Sequence, residues 1–324
     1  MSFRAWLRPF AALTLALLLA APVAADTGFK LDPRYTDADG DLVADTPTDP
    51  KQWVDPPTLI FAYTPVEDPA VYAKVWQGFL EHMAKVTGKK VQFFPVQSNA
   101  AQLEAMRAGR LHVAGFNTGA NPIAVACAGF VPFAMMASKQ NEFGYEMAII
   151  TYPGSGITKP EDLRGKTIAF SSETSNSGYK APVALLKSQY GMQVGQDYQA
   201  TFSGKHDNSV LGVVNKDYQA AAVANSVMKR MMARGVAKPE QVVTIYTSQT
   251  FPTTGYGYVY NLKPELAAKV KEAFFSFPWD GSALQQEFKS TEPPQEKFIP
   301  ITFKDNWAVI RDIDAATGVT YQCK

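Results

Sequence analysis

Glu173-Thr174-Ser175-Asn176-Ser177-Gly178-Tyr179 stands between two stretches of different character. Thr167 to Phe170 before it is a short apolar run of strand length, and Ala181 to Tyr190 after it reads as a helix. Hydroxyl and amide side chains are therefore crowded onto a strand-to-helix turn. The first N–H groups of a helix have no intrahelical partner, and the helix dipole adds positive potential there. Ser and Asn contribute neutral donors, and Gly178 lets a ligand approach the backbone. Such a turn can hold a small tetrahedral oxyanion without Lys or Arg. It also fits an ordinary N-cap cluster, because Ser, Thr and Asn are favoured at that position.

Working outward, the chain is regular α/β from Leu59. Strands are expected at Leu59–Tyr63, Lys90–Pro95 and Val113–Phe116, with helices at Pro69–Thr87, Asn99–Ala108 and Pro122–Ala128 between and after them. Val131–Ala137 and Glu146–Tyr152 read as extended. A second cycle starts at Gly165–Phe170 and runs through a strand or loop around Tyr198–Ser203. It continues with a helix at Asp207–Asn215, a strand at Ala220–Ala224, a helix at Ser226–Arg234 and a strand at Val242–Thr247. Gly255–Tyr260 then reads as a strand, followed by helices at Pro264–Phe275, Ala283–Lys289 and Asp305–Ala316. Alternating strands and helices imply parallel pairing with crossover helices. The economical architecture is two α/β lobes built alike: 58–146 plus 248–324 as the first, and 147–247 as the second.

In two-lobe α/β proteins a ligand lies in the cleft beyond the carboxyl ends of the strands. The polar residues just after strands are therefore the candidates. They are Tyr63-Thr64-Pro65, Asn117 to Asn121, Ser175/Asn176/Ser177, Ser203 to Asp207, and Asn225-Ser226. Each also has a bland reading, as packing, capping or a structural His-Asp pair. Together they bring neutral donors to five strand ends.

The N-terminus reads as an export signal. Arg4 and Arg8 precede Phe10 to Ala20, an apolar core of 11 residues that is too short to span a bilayer, and Val23 and Ala25 suit a cleavage site. Cleavage near Ala25 takes the formal net charge from +1 to −1, so nothing points to nucleic acid or anionic lipid. Residues 26–57 form an Asp- and Pro-rich leader. Within it Asp37, Asp39, Asp41 and Asp45 are spaced like part of a calcium loop, although Leu42 stands where an EF-hand requires Gly and no Glu closes the ring. A solvated acidic linker is the other reading. No other cofactor is expected. Cys127 and Cys323, the two cysteines, suit a disulfide in an oxidising compartment. A free Cys127 thiol binding a soft ligand such as trivalent arsenic, and two inert cysteines, are the alternatives.

An enzyme is not expected. The chain has three histidines, no Gly-x-Ser-x-Gly elbow, no transition-metal spacing, no dinucleotide fingerprint and no P-loop.

These segments resemble the phosphonate/phosphite/phosphate-type periplasmic binding proteins of ABC importers, over roughly Leu59 to Asp314. The family's P-x-S-T-S-G element is matched by Glu173 to Gly178, with Glu173 for Pro and Asn176 for Thr. Its His-Asp pair is matched by His206-Asp207, and its G-R-x-D-[IV]-A-x-F-G-P stretch by Gly109 to Thr118, with His112 for Asp. Its D-L-[KR]-G-K-x-x-A-F run is unchanged at Asp162 to Phe170. The resemblance implies a type II-like two-lobe fold with a hinge and an interlobe cleft. It implies oxyanion binding by Ser175, Asn176, Ser177 and His206, facing Tyr63, Asn117 and Thr118, and delivery by a monomer to an inner-membrane ABC permease. Asn225 stands near where members that bind aminoalkyl phosphonates place a carboxylate. A smaller or neutral-tailed species, such as phosphite or methylphosphonate, is the expected ligand. A sensor presenting arsenite or another oxyanion to a membrane histidine kinase is the alternative.

Overall fold

The computed structural model describes residues 28–323. The export-signal features from Arg4 to Ala25 lie outside them. Eleven strands form two sheets among the described residues. The first sheet contains β1 (Thr58–Tyr63), β2 (Lys90–Phe93), β3 (Val113–Phe116), β4 (Phe130–Ala137), β10 (Gly255–Val259) and β11 (Lys297–Pro300), in the order β11-β4-β10-β3-β1-β2. The second contains β5 (Tyr145–Thr151), β6 (Thr167–Phe170), β7 (Gln199–Phe202), β8 (Ala220–Ala224) and β9 (Val243–Phe251), in the order β7-β6-β8-β5-β9. The helices are α1 (Pro69–Thr87), α2 (Asn99–Arg107), α3 (Asn121–Ala128), α4 (Ala181–Tyr190), α5 (His206–Val214), α6 (Asn225–Ala233), α7 (Pro264–Phe275), α8 (Ala283–Phe288), α9 (Phe303–Asn306) and α10 (Ala308–Ala316).

Both sheets are mixed rather than parallel throughout. β1 pairs in parallel with β2 and β3, and β6 with β7 and β8. By contrast, β10 runs antiparallel to β3 and β4, and β5 runs antiparallel to β8 and β9. The reversals occur where the chain crosses between sheets, after β4 into β5 and after β9 into β10. A strand entering from the other lobe has no crossover helix to set its direction. The expected divisions at 146/147 and 247/248 fall inside β5 and β9, which belong wholly to the second sheet. The crossings lie at residues 138–144 and 252–254. The edge strand β11 follows the Pro293-Pro294 pair and is too short to carry a period. The expected last helix divides at Trp307 into α9 and α10.

The first lobe closes on an aromatic core. Trp76 and Phe79 of α1 pack on Phe61 of β1, and Tyr256 and Phe298 on Phe274 of α7. Each such ring removed from water contributes about 1.5–3 kcal/mol. In the second lobe β8 is Ala-Ala-Ala-Val-Ala, buried throughout, and side chains this small allow helices to pack closely on both faces.

The Asp- and Pro-rich leader packs on the first lobe. Asp32 N–H donates to the Ala126 carbonyl at 2.9 Å. Tyr35 meets the Tyr260 ring edge-on, Phe29 packs on Phe303, and Val43 and Ala44 are buried.

Candidate functional site

Four helices begin beside one small chamber between the lobes: α3, the wide turn Asn176–Lys180 that feeds α4, and then α5 and α6. The chamber has a volume of about 50 Å³. Tyr63, Asn117, Thr118, Ser175, Asn176, Ser177 and His206 all line it. The sequence placed these residues at strand ends, and the fold brings them together. Ser175 caps the turn by accepting from Gly178 N–H at 3.0 Å. Glycine is required at 178, since a Cβ there would run into Ser171 and Ser175 Oγ. Gly119 is equally constrained, because the backbone of Thr174 and Asn176 from the other lobe occupies the space of its Cβ.

Asn225 is not part of the chamber lining. Its side chain accepts from Glu146 N–H at 3.0 Å and donates to Glu146 Oε2 at 3.1 Å, while the next residue, Ser226, faces the chamber. Asn117 and Thr118 line the wall with their hydrogens already used. Asn117 Nδ2 donates to Thr64 Oγ1 and Asn99 Oδ1, and Thr118 Oγ1 donates to the Pro252 carbonyl at 2.7 Å. These two residues shape the site more than they offer protons to it.

His206 has a defined protonation state. Its Nδ1 accepts from Ala224 N–H at 3.3 Å, so the single proton of the neutral ring sits on Nε2, 3.3 Å from Ser175 Oγ. Burial, reinforced by the nearby Arg230 charge, pushes its pKa down to about 3. An Nε2 that carries the proton cannot take one from Ser175. Asp207, the neighbouring acid, instead accepts from Asp68 and Asn208 N–H groups. The Ser-His pair is thus a donor pair and not a nucleophile with its base.

Arg230, Tyr145, Thr253, Thr254 and Gln295 also line the chamber. None was legible as a site residue, because each lies inside a helix, at a strand start or in a loop without a motif. Arg230 bonds to Glu67 Oε1 at 3.1 Å and to Tyr72 OH at 3.2 Å, and Glu67 and Glu287 also pair with Arg234. Two arginines and two glutamates leave this buried cluster formally neutral. It also joins the lobes, since Glu67 and Glu287 belong to the first and the arginines to the second. His206 N–H to the Val66 carbonyl, Asn99 to Thr174, and Lys205 to Gln97 add further bonds across the cleft. The lobes are closed on the chamber. A wider cleft of about 450 Å³ lies outside it, walled by Pro65, Asn99, Ser172, Phe202 and Lys205 among others.

Cys127 and Cys323 are disulfide-bonded, with Cα atoms 5.1 Å apart. The pairing leaves no thiol at Cys127 for a soft ligand and removes the chemistry behind the arsenite alternative. In the leader, carboxylate oxygens of Asp37, Asp39 and Asp41 lie within 4.8 Å of one another. Asp45 stands apart from that group and accepts from Ala38 N–H at 2.9 Å. Leu42 adopts the left-handed conformation, φ 69°, at the position where a calcium loop uses Gly.

No helix among the described residues is long and apolar enough to cross a membrane. The family model described as "ABC transporter, phosphonate, periplasmic substrate-binding protein" matches residues 61–306. The phosphate-import protein PhnD of Mycolicibacterium smegmatis is 26% identical over 285 residues, covering 83% of this chain and 88% of that protein. The phosphonates-binding periplasmic protein of Escherichia coli is 23% identical over 206 residues, covering 62% and 61%. Among solved structures, a binding-protein component of a Pseudomonas aeruginosa ABC phosphonate transporter aligns with TM-score 0.72 at 22% identity, over 80% of this chain and 86% of that one. PhnD1 of Prochlorococcus marinus, solved with methylphosphonate, aligns with TM-score 0.72 at 16% identity, over 82% and 100%. With a two-lobe fold, a closed interlobe chamber and a family match over most of its length, the chain belongs to the phosphonate family of periplasmic substrate-binding proteins, which work with the membrane permease of an ABC transporter and are not enzymes.

Proposed function

We propose that this protein captures a small tetrahedral phosphorus oxyanion (phosphite, methylphosphonate or inorganic phosphate) and delivers it to an ABC permease. The observation that carries this reading is the chamber itself. Its volume is about 50 Å³, it lies at four helix starts, and it is lined by neutral donors and no Asp, Glu or Cys. A single ordered water needs roughly 10–15 Å³ by this measure, so the space suits an oxyanion head without a long substituent. The cation at the wall, Arg230, is balanced by Glu67 and Glu287, which favours reversible capture over tight retention. An ammonium-bearing tail would find no carboxylate partner. The protein acts as an exported monomer whose signal is removed near Ala25.

The test is a thermal-shift and calorimetry panel on the mature protein with phosphite, methylphosphonate, 2-aminoethylphosphonate, phosphate, sulfate and arsenite. Ligands that bind only the folded state raise Tm in proportion to RT ln(1 + [L]/Kd). Shifts with small phosphorus oxyanions, and a weaker one with the aminoalkyl compound, are expected. A preference for 2-aminoethylphosphonate would refute the reading.

A further inference from the structure

The chamber contains a buried acceptor with no protein donor. Asn176 is 1% exposed, and its Oδ1 has no hydrogen-bond partner. The other end of that amide is held by Tyr145. The Tyr145 oxygen accepts from the Asn176 amide nitrogen at 3.1 Å. With Nδ2 committed to Tyr145, Oδ1 is left to the chamber that Asn176 lines.

We propose that Asn176 Oδ1 is a selectivity element that accepts a hydrogen bond from a P–OH group, so that the site takes phosphorus oxyanions that keep a proton and rejects sulfate, which has none. This rests on the oxyanion reading of the chamber and names the protonation class of its ligand. A fully ionised oxyanion would set a lone pair against Oδ1 and leave a buried acceptor unpaired. Sites built to hydrogen-bond one group discriminate strongly against analogues that lack it for this reason. The discrimination needs no carboxylate. The other buried orphan on the wall, Thr253 Oγ1, is a hydroxyl that can donate or accept, so it is indifferent to the ligand's protonation.

The titratable groups lining the chamber are Tyr63, Tyr145, His206 and Arg230. Burial raises both tyrosines above their ordinary range, and His206 stays neutral down to about pH 3. Between mildly acidic and mildly alkaline solution the ligand is therefore the partner that titrates. Inorganic phosphate keeps a P–OH through this range. Methylphosphonate loses its last one on the alkaline side.

The experiment is calorimetric titration of the mature protein, wild type and Asn176→Thr, with inorganic phosphate, methylphosphonate and sulfate. A Thr hydroxyl at 176 can either donate or accept. In the wild type, sulfate should bind on the order of 10- to 100-fold more weakly than phosphate, and Asn176→Thr should narrow that ratio by about 10-fold. Sulfate within about 3-fold of phosphate in the wild type would overturn the proposal. A second measurement needs no variant. Wild-type affinity for methylphosphonate should fall relative to phosphate as the pH is raised through the last ionisation of methylphosphonate, and parallel behaviour of the two ligands would also overturn it. Binding of none of the three, and of no phosphite in the thermal-shift panel, would remove the oxyanion reading itself, which separates the two failures.

Discussion

The Lys180 ammonium lies 2.8 Å from Asp314 Oδ1, with both side chains almost wholly buried, and the same Nζ donates to the Gly119 carbonyl at 2.9 Å. One cation thus joins the Asn176–Lys180 turn of the second lobe, the facing turn of the first, and helix α10. Tyr321 OH completes the shell of Asp314 and extends the connection toward the disulfide at Cys323.

Removing one partner of this pair leaves an uncompensated buried charge. Lys180→Met is expected to cost about 3–5 kcal/mol of stability in urea unfolding. The double variant Lys180→Met/Asp314→Leu should recover much of that loss, because two apolar side chains leave no orphan charge. Equal or greater loss in the double variant would show that the pair has no such role.

Ser175→Ala combined with Ser177→Ala should weaken oxyanion binding without unfolding the protein. The Ser175 cap on Gly178 N–H is worth about 1 kcal/mol, well below the stability of a two-lobe chain. Calorimetry on a sample with a normal melting transition decides it. An unchanged Kd would move the site away from this turn.

His206 makes stability depend on pH. Its folded pKa is depressed from the ordinary 6.5 to about 3, so over that interval the unfolded chain binds a proton that the folded chain refuses. Stability therefore rises with pH between about 3 and about 6.5, and is lost as the solution is acidified through that window, by on the order of a few kcal/mol. His206→Gln should flatten the slope of unfolding free energy against pH by up to one proton. An unaltered slope would assign the acid sensitivity elsewhere, with His112, whose pKa burial also lowers, the next residue to replace.

Glu67 is 1% exposed and accepts from Arg230 and Arg234 across the cleft. The arginines can meet it only when the lobes are closed, so Glu67→Gln should favour the open form. Stopped-flow measurement of ligand release should show a faster off-rate by about 10-fold or more, and small-angle scattering of the ligand-free protein a larger radius of gyration. Unchanged values of both would confine the cluster to local packing.

Replacing Cys127 and Cys323 by Ala should lower stability by about 2–4 kcal/mol. The bridge spans 196 residues and lies behind the chamber rather than on it. Ligand affinity should therefore change far less than Tm, and an equal effect on both would mean that the C-terminal tie also shapes the chamber.

The alternation of apolar runs and helices, with turn residues at strand ends, was enough to place Ser175, Asn176, Ser177 and His206 at one site, because strand-to-helix turns in α/β lobes collect at one edge of the sheet. The polarity of β5, β9 and β10 was not legible. Strands that cross between lobes pair with whatever edge they reach, and β5 and β10 are buried at nearly every residue, so they lack the alternation that marks an antiparallel strand with one solvated face. Asn225 was misplaced by one residue of helix rotation: it sits at the right strand end but turns its amide to Glu146, leaving Ser226 to face the chamber. Arg230 and Glu67 were hidden for another reason. They are 163 residues apart, and a charged residue in an amphipathic helix reads as a solvated one until the opposite lobe covers it.

The α/β class, the donor-rich turn at Glu173 to Tyr179 and the family could be read from the residues alone, since these depend on local periodicity, capping chemistry and contiguous motifs. Which hydrogens remain free to meet a ligand follows from contacts between distant segments. Asn117 and Thr118 spend theirs on other loops, His206 carries its proton on Nε2 because Ala224 N–H occupies Nδ1, and Asn176 turns its oxygen inward because its Nδ2 donates to Tyr145 OH. Each of these hydrogen bonds joins segments distant in sequence, so no local pattern of residues encodes its direction.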